Sequence, residues 1–282
     1  MRNCNASDSL RIIPAMPAPP TILLFDSGLG GLTVHREIVA ARRDARVIYA
    51  ADDAFFPYGD HGEAALVARV LAVLGDLIAA WRPNLVVVAC NTASTLVLPQ
   101  LRERFAVPFV GTVPAIKPAC AASLSKLVSV LGTEATVARE YTRALIRDFA
   151  QGCAVTLVGA RRLAVLAEAA LNGEAVADAD ILGEIMPCFV QDRGARTDTI
   201  VLACTHYPLL LDRLKRLAPW PVAFVDPAPA IARRVLELLG PPAAADPAPP
   251  TRMIFTSGRA PSAALKAALA HFGMAESERS PD

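Results

Sequence analysis

Lysine is scarce in this sequence. Only Lys117, Lys126, Lys215 and Lys266 occur in 282 residues, and none sits in an obvious Schiff-base context, which argues against pyridoxal-phosphate chemistry. No G-x-S-x-G elbow is present, so a hydrolase nucleophile of that kind is not expected. The six cysteines, at 4, 90, 120, 153, 188 and 204, form no CxxC or paired CxxH spacing, which disfavours a zinc knuckle and leaves no metal site in view. Excess charge is also missing. The net charge is +1 and the pI about 7.6, giving no electrostatic reason to expect a nucleic-acid partner. The basic pairs Arg42-Arg43, Arg161-Arg162, Lys215-Arg216 and Arg233-Arg234 are scattered and read as solvated helix faces. Long apolar runs are absent too: Leu66–Ala80 carries Arg69 and Asp76, and Val86–Cys90 is only strand-length. No stretch supplies the roughly 20 uninterrupted apolar residues of a spanning helix, and the first twenty residues contain no continuous apolar h-region. A soluble chain with reduced cysteines and a mobile leader over 1–20 is the expectation.

What is present is 54% hydrophobic residues, arranged in short strand-like runs that alternate with alanine- and leucine-rich helical stretches. Ile22–Phe25, Val47–Ala51, Leu85–Ala89, Pro108–Thr112 and Leu127–Leu131 read as buried strands. Leu32–Arg42, Glu63–Trp81 and Thr95–Phe105 read as helices. That alternation predicts an α/β fold with parallel sheets covered on both faces. After Gly240 a proline-rich linker leads to a strand at Met253–Thr256 and a helix at Pro261–Phe272.

One repeat stands out. Val86-Val87-Val88-Ala89-Cys90-Asn91-Thr92 is answered by Ile200-Val201-Leu202-Ala203-Cys204-Thr205-His206. Each is an apolar strand, then Ala-Cys, then small polar residues where a helix should begin. Ligands of open parallel sheets bind beyond the carboxyl ends of the strands, so both cysteines fall where chemistry sits. Two similar lobes facing each other would bring them together across a cleft. At a helix N-terminus, aligned backbone N–H groups favour the thiolate, which can act as a base or nucleophile. His206, two residues beyond Cys204, is a candidate pKa tuner or acid. Cys4, Cys120, Cys153 and Cys188, with His35, His61 and His271, lack such neighbours and read as structural or incidental.

Asp26-Ser27-Gly28-Leu29-Gly30-Gly31 follows the first strand. It is not a dinucleotide fingerprint, because Thr33 occupies the third glycine position. Its exposed amides could hold a carboxylate as readily as a phosphate. Phe56-Pro57-Tyr58-Gly59 reads, by itself, as a turn.

Taken together, the segments DSGLGGLTV at 26–34, FPYG at 56–59, ACNTAS at 89–94, VPAIKPA at 113–119, LGTEATV at 131–137, ACTHYP at 203–208 and VDPAPAIARR at 225–234 resemble the glutamate racemases of the aspartate/glutamate racemase superfamily. The match spans about Thr21 to Gly240, with an echo at Phe255-Thr256-Ser257-Gly258, and the VPAIKPA form resembles the Gram-negative branch. Ala135, where the family more often has glycine, and Glu140, where it has a small residue, depart from the pattern. The resemblance implies two doubly wound α/β domains related by pseudo-twofold symmetry, with the active site between them. The expected division is a leader 1–20, a first domain 21–113 plus 222–273, a second domain 114–221 and a frayed tail 274–282. It further implies that Asp26, Ser27, Tyr58, Gly59, Asn91, Thr92, Thr205 and His206 contact glutamate. Cys204 would deprotonate L-glutamate while Cys90 reprotonates it, with Asp26 assisting Cys90 and His206 assisting Cys204. Glu168 aligns with a family carboxylate near the second cysteine. No cofactor is expected. A cytoplasmic supply of D-glutamate for peptidoglycan, a UDP-muramoyl-alanine activator and a homodimer are also implied. Two rival readings share the cysteines: a racemase or isomerase of the same superfamily acting on aspartate, a hydantoin or maleate, and a non-catalytic amino-acid-binding protein with redox-sensitive thiols.

Overall fold

A computed structural model describes residues 19–150, 152–242 and 249–274. Most of the expected leader, residues 243–248 of the linker and nearly all of the expected tail lie outside the described residues.

The first lobe opens with β1 (Thr21–Asp26), α1 (Leu32–Ala41), β2 (Arg46–Ala51), α2 (Glu63–Trp81), β3 (Leu85–Val88), α3 (Asn91–Arg104) and β4 (Phe109–Gly111). The chain then crosses to a second lobe of α4 (Ile116–Ala122), β5 (Leu127–Gly132), α5 (Glu134–Ala138), α6 (Glu140–Phe149), β6 (Ala154–Gly159), α7 (Leu163–Leu171), α8 (Asp178–Ile185), a small hairpin β7 (Gln191–Asp192) and β8 (Ala195–Arg196), β9 (Thr199–Ala203), α9 (Leu211–Leu217) and β10 (Ala223–Val225). It returns through α10 (Ala228–Leu239), β11 (Arg252–Phe255) and α11 (Ala263–His271).

Both main sheets are parallel. The first has the order β11-β2-β1-β3-β4 and the second β10-β9-β5-β6. Read from β6, the second runs 6-5-9-10, which matches 2-1-3-4 of the first strand for strand. β1 therefore corresponds to β5, and β3 to β9, so each cysteine follows the equivalent strand of its lobe. Each sheet is covered on both faces. Leu24, Val87 and Tyr49 pack under α1 and α10, and Leu23, Val86 and Val88 under α2 and α3. Ile200 and Leu202 face the helices α7 to α9, while Val128, Val130 and Val201 face α4. The 19-residue α2 is the one described helix long and apolar enough to cross a bilayer. Its Leu66, Val70, Leu74 and Leu77, at helical spacing, instead bury one face in the core.

Three expectations shift. The return to the first lobe was expected at 222, but Ala223–Val225 pairs in register with Thr199–Val201, so the chain crosses back only with α10. The reason is that β9 needs a parallel partner on its open edge. Helix α3 begins at Asn91 rather than Thr95, because Cys90 itself is the N-cap and Ser94 N–H bonds to its carbonyl at 2.9 Å. No comparable helix starts after Cys204. A 3₁₀ turn at Tyr207–Leu210 intervenes, closed by Tyr207 N–H to Cys204 O at 3.2 Å and Leu209 N–H to His206 O at 3.1 Å.

Arg42 ties the first lobe together at the end of α1. Its guanidinium forks onto the buried Asp44 at 2.8 and 2.9 Å and donates to the carbonyls of Leu239 and Gly240, which end α10. Breaking one side of a buried ion pair costs about 3–5 kcal/mol. Arg42→Ala should lower unfolding stability by that order in denaturant titration, and a change below about 1 kcal/mol would refute the role.

Candidate active site

The carboxyl ends of β1, β3, β5 and β9 point at one another across the gap between the lobes. The cavity there is lined by Ser27, Phe56, Pro57, Tyr58, Gly59, Cys90, Asn91, Thr92, Thr133, Ala164, Cys204, Thr205 and His206. Every residue named from the sequence is at this place, with Asp26 and Glu168 set just behind the wall. The cavity measures about 20 Å³, room for one water and not for an amino acid. Admission of an amino acid therefore requires the lobes to part, and closure would exclude water from the reacting groups.

Two thiols face this space, and they are supported differently. Cys90 is 5% exposed, and burial pushes its thiol up to about 12; the neighbouring Asp26 adds to this, while the Ala93 amide and the Ser27 hydroxyl act against it. Its position as N-cap of a 14-residue helix supplies the amide. Cys204, 6% exposed, has a histidine in place of a helix. His206 Nδ1 lies 3.8 Å from Sγ, and Nε2 lies 2.8 Å from Glu168 Oε1. Burial alone would hold the imidazole neutral, but Cys204 and Glu168 together outweigh it and raise its pKa well above the ordinary value. A thiol–imidazole–carboxylate relay results, in which the imidazole can take the sulfur's proton or return it.

Asp26 is fully buried. It accepts the Gly31 N–H at 2.8 Å, and the Thr205 hydroxyl reaches it from the other lobe at 3.3–3.4 Å. Burial raises its carboxyl to about 6, against the pull of His206 and of the Gly31 and Ser27 amides. Glu168 holds the lobes in register as well, since the same Oε1 accepts the Leu29 N–H at 2.7 Å. Glycines are required at this contact. A Cβ on Gly28 would sit 2.0 Å from Glu168 Oε1, and one on Gly30 would sit 2.5 Å from the Thr205 hydroxyl and 2.6 Å from the His206 amide nitrogen.

Asn91 carries the clearest ligand signal. Both polar atoms of its side-chain amide are buried without a hydrogen-bond partner while the residue lines the cavity. An unmade buried hydrogen bond costs roughly 1–3 kcal/mol, which a carboxylate or ammonium group placed there would offset. Thr92 joins Thr133 and Thr136 of the other lobe in a hydroxyl cluster at 2.9–3.2 Å. Tyr58 is also in the wall, but its hydroxyl is donated away from the cavity to Asp52 at 2.7 Å. Of the other cysteines, Cys120, Cys153 and Cys188 are free and outside the cavity, and Cys4 lies outside the described residues.

Thr133, Phe56 and Ala164 were missed in the sequence. Thr133 had a usable signal: it follows β5 as Ser27 follows β1, and the duplicated strand order makes the two positions equivalent. Phe56 lies in the FPYG segment that carries the resemblance but is not among the expected contacts, and Ala164 has no signal, because an alanine in a helix looks like packing.

These features have counterparts in known proteins. A family model described as Asp/Glu/Hydantoin racemase matches residues 30–235. Glutamate racemase of Brucella anthropi is 54% identical over 242 residues, 86% of this chain and 87% of that protein. The Brucella canis glutamate racemase is 51% identical over 270 residues, 92% and 97% of the two chains. Among solved structures, Escherichia coli glutamate racemase in complex with L-glutamate and the activator UDP-MurNAc-Ala superposes with a TM-score of 0.84 at 39% identity, covering 93% of this chain and 98% of that one.

The raised Asp26 pKa has a thermodynamic sign. A carboxyl whose folded pKa exceeds its unfolded value stabilises the fold at low pH, and that contribution is lost as pH rises from about 4 through about 6. Asp26→Asn should therefore raise stability at pH 8 by on the order of 2–3 kcal/mol, with the gain shrinking toward pH 4–5. Equal stability differences at both pH values in denaturant titrations would contradict a buried, costly carboxylate.

Proposed function

Since the chain belongs to the glutamate racemases of the Asp/Glu/Hydantoin racemase family, we propose that it inverts glutamate with Cys90 and Cys204 as paired acid and base on opposite faces of the α-carbon. The protein is an isomerase that interconverts L- and D-glutamate, and the D-glutamate serves peptidoglycan synthesis.

The observation that carries the site assignment is that the two thiols follow equivalent strands of two lobes and line one cavity. Inversion requires a proton to leave one face of a carbon and arrive on the other, which a single fixed base cannot do. In the proposed cycle the Cys204 thiolate, with its proton held by His206 and Glu168, removes the α-proton of L-glutamate. The Cys90 thiol then delivers a proton from the opposite face, and Asp26 beside it supports that transfer. For D-glutamate the roles reverse. Ser27, Gly59, Asn91, Thr92 and Thr205 hold the carboxylates and the ammonium group, and Tyr58 contributes its ring to the wall.

General acid–base catalysis supplies typically about 10²–10⁴-fold, which is too little for so weak a carbon acid. The remainder is assigned to fixed donors around the developing carbanion in a cleft dried by closure. The raised Cys90 pKa is consistent with a resting thiol there, ready to act as the acid toward L-glutamate. The substrates of the rival racemases differ in chain length or charge, and the orphaned Asn91 amide with the Thr92–Thr133 hydroxyls offers a second polar anchor suited to a distal carboxylate.

Incubation with L-glutamate in D₂O, followed by NMR and chiral analysis, tests the reading. Wild type should exchange the α-proton and accumulate D-glutamate. Cys90→Ala and Cys204→Ala should each lose about 10³-fold or more of the inversion rate with the fold intact. Turnover near wild type in either variant would end the two-thiol mechanism.

A regulatory ligand belongs to the same proposal. A cavity of about 280 Å³ lies where the chain crosses between lobes, walled by Val113–Pro118 on the outgoing crossing and the start of α4, and by Pro227, Ala230, Ile231 and Arg234 on the return. Lys117 and Arg234 give it a positive edge, and a ligand seated there would bias the angle between the lobes. The Escherichia coli relative binds UDP-MurNAc-Ala as activator, and an anionic nucleotide precursor of that kind fits this cavity. Adding UDP-MurNAc-Ala should raise kcat/KM, and Lys117→Ala with Arg234→Ala should remove the response without removing basal activity. A full response in the double variant would place the activator elsewhere. A cytoplasmic location accords with such a substrate and activator.

A further inference from the structure

Phe255-Thr256-Ser257-Gly258, at the far end of the chain, has no part in the cycle above. It nevertheless grips the loop that forms one wall of the cavity. Asp52, fully buried at the end of β2, is the centre of the contact. Its Oδ1 accepts the Thr256 hydroxyl at 2.6 Å and Arg69 of α2 at 2.5 Å, and its Oδ2 accepts the Tyr58 hydroxyl at 2.7 Å and Arg69 Nε at 3.0 Å. Asp53 alongside accepts the Ser257 N–H at 2.9 Å and also the Ser257 hydroxyl. Backbone pairing continues the grip, with Thr256 N–H bonded to Ala51 O at 3.0 Å.

The loop so held runs directly into the site. Tyr58 and Gly59 line the cavity, and Phe56 packs into the core of the opposite lobe with its ring 5.3 Å from that of His206. A hydroxyl 200 residues from Phe56 in the sequence thus bears on the imidazole that serves Cys204.

We propose that Asp52, fixed by Thr256 and Arg69, is a positioning residue of the glutamate site: it sets the 56–59 loop, and through Phe56 the placement of His206, at the geometry the closed cleft needs. This rests on the glutamate-racemase reading above. The carboxylate accepts bonds from Tyr58, Arg69 and Thr256, which lie 6, 17 and 204 residues away, so the loop cannot move without breaking charge-assisted bonds. A displacement of about 1 Å in a group that orients substrate can cost on the order of 10²-fold in rate. No atom of the clamp reaches the cavity directly except through Tyr58, so its loss should be felt in how substrate is held.

The test uses Thr256→Val, which keeps the side chain's shape and removes the hydroxyl. KM for both L- and D-glutamate should rise about tenfold, the worth of one such bond, while kcat falls less and the thermal midpoint stays within a few degrees. Because the enantiomers have equal free energy, kcat/KM must fall by the same factor in both directions, which serves as an internal check. Thr256→Ser should restore KM to within about threefold of wild type. A folded Thr256→Val enzyme with wild-type KM, or a Thr256→Ser variant as impaired as the valine, would overturn the clamp. If the valine variant does not fold, Tyr58→Phe removes the bond that joins Asp52 to the loop while keeping the ring in the wall, and an unchanged KM there overturns the proposal equally. A wild-type enzyme inert toward glutamate would instead sink the parent reading, so the two failures are distinguishable.

Discussion

The site depends on taking ionisable groups out of water. Burial disfavours a thiolate, as the upward push on Cys90 shows, and it raises the Asp26 carboxyl to about 6. A reaction that needs a thiolate in that environment must therefore supply each sulfur with a partner, and the lobes supply different ones. The first lobe offers a helix N-terminus and an aspartate, the second a histidine backed by Glu168. The asymmetry follows from what comes after each strand: α3 starts at once behind Cys90, whereas the Tyr207-Pro208 turn behind Cys204 leaves room for His206 to fold back on the sulfur.

The same burial requires the cleft to open and shut, and its closing contacts are of a kind that can part. Across the gap lie the Leu29 amide on Glu168, the Thr92–Thr133–Thr136 hydroxyls, an Arg139–Glu63 ion pair and the Thr205–Asp26 contact. These are polar groups that water can satisfy when the lobes separate, whereas the packing of Phe56 on the second lobe and of Leu171 and Leu209 on the first is apolar and is lost on opening. Among the described residues two chain crossings, at 112–116 and 226–228, join the lobes, and both border the cavity walled by Val113–Pro118. The short Gly28 and Gly30 contacts make the fit between the lobes tight.

Much of this was legible in the sequence because parallel α/β architecture writes itself locally. A buried parallel strand needs an unbroken apolar run, so β1 to β5 and β9 were visible as such, and helix α2 was found with its bounds. The Ala-Cys repeat marked two strand ends, and every residue then named is gathered around one cavity. Less legible were features decided by neighbours distant in the chain. Whether 223–225 joins the first or the second sheet depends on the open edge of β9, and whether a helix or a 3₁₀ turn follows Cys204 depends on how His206 packs.

The sequence by itself determined β1 to β5, β9 and β11, the helices α1, α2 and α11, the two thiols and the polar residues beside them, because each is encoded by side-chain type and spacing within a few residues. Tertiary structure alone decided which thiol has which partner, that Asp26 is buried enough to titrate near 6, that the Asn91 amide is left unpaired facing the cavity, and that Thr256 reaches Asp52. Those outcomes are desolvation and contact energies, which depend on which surfaces meet across the lobes, and no local pattern carries that information.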